Sequence, residues 1–135
     1  VNEEREDNGA EPLMFNWDLG KAATRHAWDS ARNGLSGHTG SDGSTPEERI
    51  HDAGFHFCGH SSDPNYDYEV TTLLAENAGQ MDSPDPEAIF EGWKGSSEHY
   101  NTMINPDYKE TGIDVFLGQD DLYYWVQTFG YNPNH

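Results

Sequence analysis

Between Leu19 and Ala31 the chain places Leu19, Ala22, Ala23, His26, Ala27, Ser30 and Ala31 at three- and four-residue spacing. That spacing predicts a helix with one narrow face of small residues. Small residues let a helix approach a second layer closely, so the fold must supply such a layer. Asn16 or Asp18 suits the start of the helix, and Gly34 suits a left-handed exit.

The C-terminal third provides strands. Ile113, Val115 and Leu117 alternate, Gln119-Asp120-Asp121 turns, and Leu122 to Phe129 returns with aromatic and β-branched residues. This predicts a hairpin, and its aromatic content predicts central strands covered on both faces. Between these regions, residues 36–44 form a Gly- and Ser-rich loop carrying His38. Thr45-Pro46-Glu47-Glu48 is a capping box with proline at the first helical position, opening a short helix that ends at Gly54. Phe55 and Phe57 read as extended, residues 61–67 as a loop, and Tyr68 to Ala75 as a strand leading into Glu76-Asn77-Ala78-Gly79. Asp85-Pro86-Glu87 opens another helix with Ile89, Phe90 and Trp93 on one side, and a short helical turn starts at Ser96 or Ser97. Residues 1–12 are polar, acidic and aperiodic, and read as a mobile or loosely docked arm. Residues 13–135 then form a single domain. Helices come first and strands last, which favours an α+β sandwich over a regular βαβ series.

A chain of 135 residues fits one domain, which buries roughly two-thirds of the surface its unfolded form exposes. Cys58 is alone, so no intramolecular disulfide exists and the core must hold the fold. Twenty-five Asp and Glu against seven Lys and Arg give a net charge of −18. Such a balance argues against nucleic acid, which needs clustered cations, and against docking on anionic lipid. It also repels itself in dilute buffer. Acids run throughout the body of the chain, so the expectation is a halophile's protein. No stretch has the apolar length needed to span a bilayer. Val1-Asn-Glu-Glu lacks the basic start and apolar run of a secretion signal, and a chain opening on Val reads as processed or excised from a longer precursor.

Several segments, taken in order, resemble the CAP superfamily (cysteine-rich secretory, antigen 5 and pathogenesis-related-1 proteins), of the prokaryotic type. Leu13 to Trp28, with Trp17 and His26-Ala27, is similar to the opening helix. Gly37-His38-Thr39-Gly40-Ser41-Asp42-Gly43 is similar to the histidine loop, and Arg49-Ile50-His51-Asp52-Ala53-Gly54 to the helix end after it. Glu76-Asn77-Ala78 resembles the Glu-Asn motif. Trp93, Ser96, His99 and Asn101 fit the pattern Trp-x-x-Ser-x-x-His-x-Asn. Asn105-Pro106-Asp107-Tyr108, Thr111-Gly112-Ile113 and residues 124–130 resemble the closing strands. The resemblance runs from about Leu13 to Gly130 and implies a three-layer α-β-α sandwich in an extracellular, secreted setting.

It also implies a central cleft with two histidines and acidic groups, which fall here on His38, Glu76 and His99. Ser96 stands where animal and plant relatives often have a second glutamate. Glu98 either restores an acid near the cleft or faces water. Two neutral imidazoles and a carboxylate suit a divalent metal, zinc foremost, with water completing the site. The competing reading is a metal-free cluster in which Glu76 accepts hydrogen bonds from the rings and ties three loops together.

Other constellations are weaker. His56, Cys58 and His60 alternate and in a strand would share a face, suiting a soft metal or a half-buried strand. Asp63, Asn65 and Asp67 alternate without the glycine and closing glutamate of a calcium loop. Tyr66 and Tyr68 suit either a ligand or a loop, and Tyr123-Tyr124-Trp125 suits hairpin core. No Gly-x-Ser-x-Gly elbow and no His-Glu-x-x-His helix occurs. Three functions fit: an extracellular binding or interaction module for a protein or small apolar ligand, a metal-assisted hydrolase of peptide or cell-wall material, and a structural component of a surface assembly. Without a complete catalytic constellation, the first is the expectation.

Overall fold

A computed structural model describes residues 1–55 and 73–131. The elements run α1 (Asn2–Asp7), β1 (Met14–Phe15), α2 (Trp17–Asn33), α3 (Pro46–Asp52), β2 (Leu73–Met81), α4 (Pro86–Lys94), α5 (Ser97–Ile104), β3 (Glu110–Leu117) and β4 (Tyr123–Tyr131). The four strands form one sheet in the order β1-β3-β4-β2. β1 pairs parallel to β3, and the other pairings are antiparallel.

The C-terminal hairpin supplies the two central strands, as expected. β4 is buried at every position from Tyr124 to Gly130 because helices cover both faces. On one side α2 packs Ala23 and Ala27 on Val126. On the other, Ile89 and Trp93 of α4 and Met103 of α5 pack with Trp125 and Phe129. This is the three-layer α-β-α sandwich.

Local chemistry sets the helix ends. The Asn16 side chain accepts from the amides of Asp18 and Leu19, and Gly34 closes α2 with φ 65°. Thr45 and Glu48 form the capping box of α3, and Asp85 caps α4 ahead of Pro86. The small face of α2 sits directly on the sheet. A Cβ at Gly112 would overlap the backbone of Leu19 and Gly20. Thr128 Oγ1 donates to Leu19 O at 2.8 Å across the same contact.

Two expectations need revision. β2 continues through Glu76-Asn77-Ala78-Gly79 to Met81, although Glu, Asn and Gly disfavour strands. Nine paired positions with β4, from Leu73↔Tyr131 to Met81↔Tyr123, override that preference. Residues 1–12 do not form a loose arm. They begin with α1, and the Arg5 side chain is fully buried. Arg5 donates to the carbonyls of Glu11, Met103, Asn105 and Tyr108 at 2.7–2.9 Å, binding the segment to the end of α5. A cation suits that place, because helix C-termini carry unpaired carbonyls and partial negative charge. His56, Cys58, His60, Asp63, Asn65, Asp67, Tyr66, Tyr68 and Phe57 lie outside the described residues.

Candidate functional site

Glu76 sits on β2, opposite Thr128 of β4, with its side chain turned toward α2 and α3. Its carboxylate is almost wholly buried, so its charge requires compensation. Arg49, from the inner side of α3 and equally buried, donates to Oε2 at 2.9 Å and to Oε1 at 3.2 Å. The same guanidinium donates to His38 O at 2.7 Å and to Ser44 O at 2.8 Å. One cation thus neutralises Glu76 and holds both ends of the histidine loop.

The loop is fixed from α2 as well. His26 Nε2 donates to Gly37 O at 2.6 Å, which assigns the ring proton to that nitrogen because a carbonyl only accepts. Asp29 accepts from the backbone and hydroxyl of Ser41 at 2.8 and 2.6 Å. So held, His38 donates from Nδ1 to Glu76 Oε1 at 2.9 Å and leaves Nε2 unengaged by Glu76. That hydrogen bond holds the His38 imidazole above the ordinary histidine range, outweighing its partial burial. Its side chain remains 50% exposed.

His99 arrives from the first turn of α5. Its backbone carbonyl accepts from Asn77 Nδ2 at 3.1 Å, and its ring stacks on Trp93, 6.5 Å between centroids. Trp93 in turn donates to Ala78 O at 3.2 Å. Burial pushes the His99 imidazole below the ordinary range, and the charge of His38 adds to the effect. Its Nδ1 is buried without a hydrogen-bond partner. Glu98 is exposed.

His38 and His99 line one cavity of about 240 Å³, with Leu35, Ala78, Gly79 and Trp125 among its walls. Among the described residues β2 ends the sheet order at this side, and the cavity is lined by the histidine loop and by His99 of α5. The three expected residues are therefore brought to one region with different roles. Glu76 bonds His38 and not His99. Among the described residues, no three His, Cys, Asp or Glu side chains gather closely enough to hold a metal ion. The donor set fits zinc poorly, because Arg49 already occupies both oxygens of Glu76 and a second cation beside the guanidinium would be repelled. Glu76 instead plays the outer role of orienting an imidazole.

Sequence reasoning passed over Arg49 and His26 as site residues. The available signal was Arg49 beside the buried Ile50 on a capped helix, in a chain with few cations to spend. Among the described residues, no hydroxyl or thiol is hydrogen-bonded to His38 or His99, so no nucleophile–base pair is formed.

The sequence profile of the cysteine-rich secretory protein family, CAP, matches residues 1–129. No curated protein sequence matches the chain. Among solved structures, an outer surface protein of Borrelia burgdorferi is similar, with TM-score 0.74 and 23% identity over 97% of this chain and 86% of that one. An extracellular protein of Bacillus anthracis containing an SCP domain has TM-score 0.75 and 20% identity, covering 95% of this chain and 36% of its own. A cysteine-rich secretory protein of Staphylococcus aureus has TM-score 0.60 and 23% identity, covering 95% and 34%. The chain thus spans about a third of the last two proteins. At these identities the likeness carries the fold.

Proposed function

The chain belongs to the cysteine-rich secretory protein (CAP) family, and from that premise we propose that it is an extracellular binding module whose cleft grips part of a larger partner. The surface and extracellular character of its structural neighbours supports the setting. Among the described residues, no helix is long and apolar enough to cross a membrane. We also propose that its −18 charge adapts it to salty surroundings.

The observation that carries the reading is the bracket formed by Arg49 and Glu76. It fixes a half-exposed His38 on the cavity wall that it shares with His99. A buried ion pair is a costly way to hold a loop, and it fits a ring that must meet a ligand in one orientation. The cavity, about 240 Å³, is smaller than the roughly 300–1,000 Å³ of pockets that engulf a small molecule. It matches one side chain of a protein partner better than a whole apolar ligand. His38 holds its proton more tightly than His99, so at a pH between their two values the cavity offers a cationic donor on one side and a neutral imidazole on the other. Among the described residues, zinc would find two imidazoles here and no carboxylate that Arg49 leaves free.

The test is selection of random peptides on the immobilised domain in high salt. Recovered peptides should share one side-chain type, shift the His38 and His99 ring resonances, and bind His38→Ala at least about tenfold more weakly. Equal binding to parent and His38→Ala, or shifts mapping away from the cavity, would overturn the reading. Cleavage of the selected peptides would replace it with the hydrolase.

A further inference from the structure

A second cleft lies on the opposite side of the sheet from α2, between α1, α4 and the strands β3 and β4. Its volume is about 700 Å³, with Leu13, Phe90, Thr111 and Gln127 in its lining. That size falls within the range that accepts a small molecule.

Gln127 is the unusual feature. It is only 4% exposed, and its amide orientation is fixed by its neighbours. Thr111 Oγ1 donates its single proton to Thr128 O at 2.8 Å. Gln127, 3.1 Å from the same hydroxyl, must therefore donate to it through Nε2. Oε1 is left buried with no partner. A buried carbonyl oxygen without a donor is rare in native proteins and calls for an explanation.

The rim supplies the second half of the argument. Glu3, Asp7, Glu87 and Glu91 are exposed carboxylates on it, from α1 and α4. Glu4 is already engaged by the Tyr100 hydroxyl at 2.7 Å and by Lys94 at 3.5 Å. The Lys94 ammonium stands 6.0 Å over the Phe90 ring, so that aromatic face already accepts a cation.

We propose that this cleft binds an alkylammonium group. Its N–H donates to Gln127 Oε1, its charge meets the acidic rim, and its alkyl body lies against Leu13 and Phe90. The site is separate from the His38 cavity and does not depend on the function proposed for it. The group could belong to a free diamine or to a lysine side chain on a peptide, which share this chemistry.

The experiment titrates 1,5-diaminopentane, a blocked lysine tripeptide and tetramethylammonium into the whole chain at low salt, followed by the Gln127 side-chain amide resonances. Diaminopentane or the tripeptide should shift those resonances, and the tighter of the two identifies the source. Tetramethylammonium carries the charge without a donor and should bind at least about tenfold more weakly. Gln127→Met should lower diaminopentane affinity about tenfold, Glu87→Gln with Glu91→Gln several-fold, and His38→Ala not at all. Unmoved Gln127 resonances in the unmodified protein overturn the proposal. So does equal binding of tetramethylammonium, which would mean charge attraction alone. The resonance arm needs no substitution, so it stands even if Gln127→Met fails to fold.

Discussion

His38 and His99 share a cavity and are tuned in opposite directions, which makes the candidate site measurable residue by residue. The ordinary histidine value is about 6.5. By side-chain NMR, His38 should titrate above it and His99 below it. Glu76→Gln should bring His38 down, because the hydrogen bond to the carboxylate is the main cause of its elevation. His38→Ala should move His99 partly upward, because burial remains and only the neighbouring charge is lost. The sign for stability follows from linkage. A raised His38 binds its proton more tightly folded than unfolded. Its contribution is complete below the unfolded value and fades as pH rises through the folded one. His99 works the other way, and its contribution is lost as pH falls through its depressed value. The advantage of the parent over His38→Ala, from urea midpoints, should therefore shrink from acidic to alkaline pH. An advantage growing with pH would contradict the assignment. The sequence revealed His38, Glu76 and His99 only through a family resemblance. It did not reveal Arg49, whose partners His38 and Glu76 stand 11 and 27 positions away.

Elements were legible where their cause is local. The capping side chains of Asn16, Thr45 and Asp85 and the exit glycine Gly34 lie within a few residues of the turns they control. The helices they bound were readable for that reason. β2 beyond Ala75 and the docking of α1 depend on distant residues and are not legible in the local sequence. Glu76 to Met81 are extended because β4 pairs with them from about fifty residues downstream. α1 is docked because Arg5 reaches carbonyls 98 to 103 positions away. The contact of α2 with the sheet has the sharpest consequence. Gly112 is required by the Leu19–Gly20 backbone lying against it, not by an unusual φ. Backbone cannot yield as a flexible side chain can. Gly112→Ala should therefore destabilise the domain by about 3 kcal/mol or more, at the upper end for one added methyl group. Gly92→Ala, whose nearest neighbour is the flexible Met81 side chain at 3.8 Å, should cost little or even stabilise α4. Denaturant midpoints for the two variants check this, and equal effects would mean that α2 does not sit on β3 as described.

At the scale of the whole molecule, the acidic excess is larger at the surface than the composition suggests. Of the seven Lys and Arg, Arg5 and Arg49 are buried, which leaves five to face twenty-five carboxylates that include only one buried member, Glu76, among the described residues. The surface cations are themselves engaged, as in Arg25 with Asp42 and Asp52 and Lys21 with Asp18. Little is left to offset the repulsion between α1, α4 and the loops. At about 0.1 M salt the screening length is about 10 Å, so neighbouring carboxylates still oppose one another, whereas at about 1 M it falls to about 3 Å. The melting midpoint should therefore rise with sodium chloride. Two mechanisms contribute and can be separated. Relief of repulsion should be nearly complete by about 1 M and insensitive to the anion. Strengthened burial of the aromatic core should continue beyond that and be greater in sulfate than in chloride. A rise confined to the first range means that charge alone limits the fold. A rise in both, steeper with sulfate, means that the core set by Trp93, Trp125 and Phe129 also draws on salt. A midpoint that is flat or falls from about 0.1 M upward, although the screening length shortens about threefold by about 1 M, would remove the halophilic explanation of the surface.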